Sequence, residues 1–285
     1  MTNYELNELD TNGYLIIRNF LSDDEVLHYK TIFQYDKSIY GKNYREVDIS
    51  VENKIIPSVK EKFEQFMASL NAATNRNINF LSPVIDVLRT ENVNLPWHQE
   101  HEGYFMYQNP KNHLRMWIPL VKSSPEIDGI EMIKHADLKS NANEFFHKYV
   151  LDTGAKFFKV EDDKTTVVDR ENDITTVENI NLEDYITNTM TMPGDAVIFR
   201  GDCVHRTQPN SKNRMAIAFK LCDDTHVICK DKFMSGGDTK HKKFTTLPHY
   251  KPYFDIFETR ETATFKELND IFKEAFIADM LKNKK

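Results

Sequence analysis

The sequence predicts an α+β protein with a mainly β core, a β-sandwich or jelly roll carrying flanking N- and C-terminal helices. Apolar residues recur at helical spacing near both ends, whereas from Val84 to about Leu221 the period drifts towards two. Turn pairs such as Asp128-Gly129 and Pro193-Gly194 break up that middle region. The 285 residues contain no linker-like stretch, so one domain spanning 1–285 is expected.

Taken in order, Tyr14 to Arg18 reads as a short strand. Ser22 and Glu25 then form a capping box, each side chain taking the other's backbone N–H, and open a helix. Pro57 opens a second helix, on which Val59, Phe63, Phe66, Met67 and Leu70 share a face. Between about Asn141 and Ile186 the chain turns acidic and weakly patterned, as in "VEDDKTTVVDRENDITTVEN". That stretch is expected to be an insertion on the strand core, either a lid or a solvated excursion. Thr264 and Glu267 form another capping box, leading into a helix with Phe265, Leu268, Ile271, Phe272, Phe276 and Met280 on one side.

Bulk properties narrow the function. Apolar residues make up 40%, charged residues 28% and the net charge is −7, which argues against a general nucleic-acid or anionic-membrane binder. No apolar run approaches a membrane span, and "MTNYELNELD" lacks a basic region leading into a hydrophobic one, so a cytoplasmic location is expected. Cys203, Cys222 and Cys229 form neither a paired framework nor a CxxC, and are expected to be buried small hydrophobes.

The chemistry begins at "LPWHQEHEGY", where residues i and i+2 of an extended chain would point His98 and Glu100 to one side. His205, after the apolar run Ala196 to Phe199, offers a third ligand. Two imidazoles and a carboxylate form the set that suits ferrous iron and leaves three coordination positions open. In "RMAIAFKL", Met215, Ile217, Phe219 and Leu221 alternate with Arg214, Ala216, Ala218 and Lys220. The second face sets a guanidinium over two alanines, an arrangement suited to bidentate capture of a carboxylate.

The set "LPWHQE", "RMWIPL", "PGDAVIF" and "HRTQPNSKNR", with the opening "GYLIIRNFLSDDEV", resembles the phytanoyl-CoA dioxygenase family of iron(II)- and 2-oxoglutarate-dependent oxygenases. The match runs with gaps from about Asn12 to Leu221. It implies a double-stranded β-helix, the cupin-like jelly roll, and Fe(II), 2-oxoglutarate and O2 as cofactor and cosubstrates. It also implies His98, Glu100 and His205 as iron ligands, Arg214 on the distal carboxylate of 2-oxoglutarate, Thr207 beside it, and Trp117 lining that pocket. The chain departs from the family pattern in three places. Glu100 stands where aspartate is commoner, "IKHADL" around His135 replaces a Gly-Ser-His, and the His205–Arg214 spacing is slightly short.

The activity so implied is hydroxylation of an unactivated C–H of a small metabolite, with release of succinate and CO2. His101, Tyr104, Arg115 and Arg200 are candidate substrate residues, and tilt the substrate towards a polar or anionic molecule. His113 shares the alternating face of Trp117. The alternatives are a non-catalytic jelly-roll module binding a ligand or metal, and a cupin-like metalloenzyme that does not use 2-oxoglutarate.

Overall fold

The structure, a computed structural model, describes residues 3–35, 45–47, 57–80, 85–89, 95–100, 108–111, 113–209, 213–234 and 251–283. Two antiparallel β layers face each other and helices cover the outside of one of them. The major sheet runs in the order β1 (Tyr14–Ile17), β11 (Ala196–Arg200), β5 (His113–Val121), β13 (Met215–Asp223), β4 (Ile85–Arg89) and β2 (Arg45–Val47). A further strand, β3 (Ile78–Phe80), pairs with the far end of β13. The opposite layer holds β10 (Ile186–Asn188), β6 (Ile130–Ile133) and β12 (His205–Thr207). A meander of β7 (Lys156–Glu161), β8 (Lys164–Asp169) and β9 (Ile174–Glu178) extends it, and His98 bridges β12 to β7. A small two-stranded sheet, β14 (Val227–Cys229) with β15 (Thr262–Thr264), precedes the last helix.

Alternation along the central strands explains the layering. Met215, Ile217, Phe219 and Leu221 of β13, with Leu114, Met116, Ile118 and Leu120 of β5, pack under α2 (Asp23–Tyr35) and α3 (Pro57–Thr74). Phe63 of α3 meets Phe219 at 4.8 Å and Phe80 at 5.3 Å between ring centroids. The other face sends Trp117, Val197, Phe199, Ala216 and Ala218 inward to meet Ile130 and Met132 of β6. Trp117 pairs directly with Ala218, so a large ring lies beside a small-residue floor.

Both capping boxes form. Ser22 N donates to Glu25 at 2.8 Å, with Glu25 N returning to Ser22 Oγ at 3.4 Å. Thr264 N donates to Glu267 at 2.7 Å, with Glu267 N returning to Thr264 Oγ1 at 3.2 Å. On the C-terminal helix, Phe265–Asn283, the side chains of Phe265, Leu268 and Phe272 are buried, while those of Phe276 and Met280 lie outside the described residues. Gly194 takes φ +90 in its Pro-Gly turn, where a Cβ would come within 2.5 Å of Leu21 O.

Three features differ from expectation. A helix, α1 (Asn3–Asn12), precedes β1, and Gly13 at φ +79 closes it by donating to Leu9 O at 3.1 Å. The stretch 141–186 carries a helical turn and the β7–β8–β9 meander. Its Phe145, Phe146, Tyr149, Val150, Phe158, Val167 and Leu182 share a core with Trp97, Ile133, Leu138 and Val204. Cys203 and Cys222 are buried as expected, but Cys229 is exposed, because it sits in an outward register position of the two-stranded β14–β15 sheet. Among the described residues no helix is long and apolar enough to cross a membrane.

Leu70 is fully buried beneath the sheet, whereas Leu27 is 59% exposed. Leu70→Ala is expected to cost ~3 kcal/mol through the cavity it leaves. Leu27→Ala should stay within ~0.5 kcal/mol. Urea denaturation of both variants checks the placement of α3.

Candidate metal centre

Residues 95–100 are threaded between β12 and β7. His98 N donates to His205 O at 2.9 Å and His205 N returns to His98 O at 3.0 Å. On the other edge Gln99 N donates to Lys156 O and Phe158 N to Trp97 O, both at 2.9 Å. Alternation then sends His98 and Glu100 to the inner side and Gln99 to the opposite one. The Gln99 amide is fully buried and donates to Val150 O at 3.1 Å and Asp202 O at 2.9 Å, which fixes the strand between its two functional neighbours.

One ligand atom from each of His98, Glu100 and His205 lies within 4.8 Å of the others, and no other such cluster occurs among the described residues. His98 Nδ1 lies 2.8 Å from Pro96 O and His205 Nδ1 lies 3.0 Å from Cys203 O. A carbonyl only accepts, so each Nδ1 carries the hydrogen and each Nε2 keeps a free lone pair. His205 Nε2 faces Glu100 Oε1 at 3.7 Å, and the two imidazole centroids are 4.2 Å apart.

Burial pushes the His98 pKa down and takes His205 down to about 3, with the neighbouring His98 acting in the same direction. Burial alone would raise Glu100, but Arg115, His205, His113 and His98 outweigh it and hold the carboxyl at about 2. All of these pKa values lie below 7. The imidazoles are therefore neutral and the carboxylate ionised at that pH, which is the protonation state a metal requires.

The same cavity is lined by Arg214, Thr207, Trp117 and Arg115, with Leu95, Ile130, Phe199 and Arg206 completing its walls. Burial lowers Arg214 to about 10, opposed by Asp128, so it remains a cation at neutral pH. Thr207 Oγ1 accepts from Leu95 N at 3.2 Å and keeps its own hydrogen to donate. The indole N–H of Trp117 is buried and has no hydrogen-bond partner among the described residues.

The other expected residues fall elsewhere. His101 and Tyr104 lie outside the described residues. Arg200 does not reach this cavity: its guanidinium is held by Asp202 at 2.6 Å and Asp152 at 3.3 Å and borders a separate cleft beside α1 and the end of α3. That corrects its expected place near the metal, because β11 ends there and Asp202, two residues on, captures it. His113 is buried but is not among the lining residues, and His135 packs over Gly13 with Nε2 3.8 Å from Asp202.

Sequence reading missed the outer brace of the site. Arg206, between His205 and Thr207, donates to Glu131 at 2.6 Å and to both oxygens of Glu183 at 2.6 and 2.8 Å. Its guanidinium covers the Trp97 ring at 4.2 Å, and the Trp97 N–H also reaches Glu183 at 2.8 Å. Nothing in the local pattern around Glu183 pointed to that role, because its partners are distant in the chain.

Since the three ligand groups are already deprotonated at pH 7, Co(II) binding there should release less than about 0.3 proton per ion. Calorimetry in two buffers of different ionisation enthalpy reads this directly. Release of a full proton would contradict the electrostatics above.

Comparison with known proteins completes the picture. The family model described as phytanoyl-CoA dioxygenase (PhyH) matches residues 41–217. No curated protein matches the chain. Among solved structures, EvdO2 from Micromonospora carbonacea var. aurantiaca is 11% identical over 78% of this chain and 91% of that one, with a TM-score of 0.50. The same protein complexed with 2-oxoglutarate is 14% identical over the same shares, again with a TM-score of 0.50. HygX from Streptomyces hygroscopicus with nickel and 2-oxoglutarate bound is 15% identical over 78% of this chain and 87% of that one, at 0.47. At such identities the likeness to EvdO2 speaks to the fold alone, a double-stranded β-helix. With the family model covering more than half of its length, the chain belongs to the phytanoyl-CoA dioxygenase family of iron- and 2-oxoglutarate-dependent enzymes.

Proposed function

We propose that this protein hydroxylates an unactivated C–H bond of a small metabolite, using Fe(II), 2-oxoglutarate and O2 and releasing succinate and CO2. The observation that carries the reading is the convergence of one ring nitrogen from each of two neutral imidazoles and one ionised carboxylate within 4.8 Å, in a cavity that also contains Arg214. The donor set fits ferrous iron, since a facial pair of imidazoles and one carboxylate leaves three positions open. The pocket fits a dicarboxylate, since it offers a buried guanidinium, a hydroxyl and the Trp117 indole N–H, which has no partner among the described residues.

His98, Glu100 and His205 would hold the iron. Arg214 and Thr207 would take the distal carboxylate of 2-oxoglutarate, and the Trp117 N–H would donate to an oxygen of the same molecule. Iron and 2-oxoglutarate together supply oxidative decarboxylation and the oxidation of a C–H bond. The chain's own part is placement and exclusion of water. Ala216 and Ala218 leave room beside the guanidinium, and Leu95, Ile130, Trp117 and Phe199 shield the site from solvent. Glu100 also favours hydroxylation over halogenation, since halide needs the position that a carboxylate ligand fills.

With Arg200 held by Asp202 and Asp152, the expected anionic anchor loses one of its members. Leu95, Ile130 and Phe199 line the described walls alongside Arg115 and Arg206, so we propose a small metabolite that presents a C–H to the metal and still carries a polar or anionic group.

Purified protein given Fe(II), ascorbate and 2-oxoglutarate in air is expected to release succinate, and Glu100→Ala to abolish the release. Arg214→Ala should raise the half-saturating 2-oxoglutarate concentration at least about tenfold through loss of a charge-assisted pair. Its Co(II) affinity should stay within about threefold, because Arg214 is not a ligand. Metal binding with no anaerobic response to 2-oxoglutarate would instead favour the module or the cupin-like metalloenzyme.

A further inference from the structure

We infer that Arg115 is a positioning residue that reserves one oxygen of Glu100, so that this carboxylate presents a single oxygen to the metal. The inference rests on the proposed role of Glu100 as an iron ligand. It begins with the two carboxylate oxygens, whose neighbours differ. Oε2 lies 3.4 Å from Arg115 Nη1, whereas Oε1 faces His205 Nε2 at 3.7 Å. Both side chains are almost wholly buried, so the pair acts with little solvent screening.

The arginine is delivered from the middle of the major sheet. β5 lies between β11 and β13, where Arg115 pairs with Phe199 on one side and Lys220 on the other. Trp117, two residues on, shares its inward face. Glu100 comes from the segment threaded onto the other layer, where Ala155 N, just ahead of β7, donates to Glu100 O at 3.2 Å. The contact therefore ties the metal's carboxylate to the opposite sheet.

The need for such a tie follows from the residue itself. Glutamate has one methylene and one rotatable bond more than aspartate, and a free carboxylate chelates with one oxygen or with both. Chelation through both would consume one of the three positions that cosubstrate and oxygen require. A guanidinium on Oε2 removes that option, and it does so at every working pH because arginine keeps its charge. Glu100 and Arg115 are thus a matched pair: the guanidinium meets Oε2 while Oε1 stays towards His205, and an aspartate, one methylene shorter, would carry both oxygens less far from its backbone.

A double-mutant cycle under anaerobic conditions tests this, comparing Co(II) affinity and visible spectra of wild type, Glu100→Asp, Arg115→Gln and the double variant. Glu100→Asp should weaken Co(II) at least about tenfold in the wild-type background. With Arg115→Gln, where the shorter side chain is free to reach the metal, it should cost less than about threefold. Arg115→Gln alone should keep Co(II), while its spectral response to 2-oxoglutarate half-saturates at about tenfold higher concentration. Arg115→Lys, which keeps the charge but loses the fork, gives a second cycle in case the glutamine variant does not fold. Additive effects in folded variants would overturn the inference and leave the enzyme assignment standing. So would a change confined to the KM of an organic substrate, which would make Arg115 a substrate contact. Failure of the wild type to bind Co(II) would remove both readings.

Discussion

The two backbone hydrogen bonds exchanged by His98 and His205 are the constraint on which the site depends. They join two segments more than a hundred residues apart and bring the imidazoles to one point between the β layers. Each bond contributes only about 1 kcal/mol net, so the pairing needs support from its surroundings. Gln99 supplies part of it by anchoring to Val150 and Asp202. Arg206, held between Glu131, Glu183 and the Trp97 ring, braces the outer side. Glu183 and Val150 both come from the acidic stretch that reads as an insertion, so that stretch is part of what holds the ligand strands in place.

Burial has an electrostatic consequence. Removing water from the cavity keeps the imidazoles neutral, while Arg115 foremost keeps Glu100 ionised against the same burial. The carboxylate is costly to bury alone and is tolerated because Arg115 and the ring nitrogens face it. A divalent cation would add the charge that this arrangement is shaped to receive.

Legibility in the sequence followed the range of the interactions. The alternation of "RMAIAFKL" foretold the helix-facing and cavity-facing sides of β13, since period two is a local property of a strand. Capping boxes were readable for the same reason, each closing over three residues. The triad was readable in outline from HxE and a histidine after a distant apolar strand, and the family resemblance then implied the same three residues. Helix α1 was missed because "NYELNELDTN" has few apolar residues to show a period, although Gly13 marked its end. Arg200 was misplaced because adjacency to a metal-bearing strand says nothing of which carboxylate captures a guanidinium. Arg115 lines the cavity as a substrate candidate would, but its contact with Glu100 was not readable, because Glu100 lies on the opposite layer.

The central claim is that His98, Glu100 and His205 bind one and the same iron ion. Anomalous X-ray scattering at the iron edge, from crystals grown and loaded without oxygen, tests it most directly. The account predicts one strong peak bonded to the Nε2 atoms of both histidines and to a Glu100 oxygen. A peak elsewhere, or iron held by fewer than these three side chains, would contradict it.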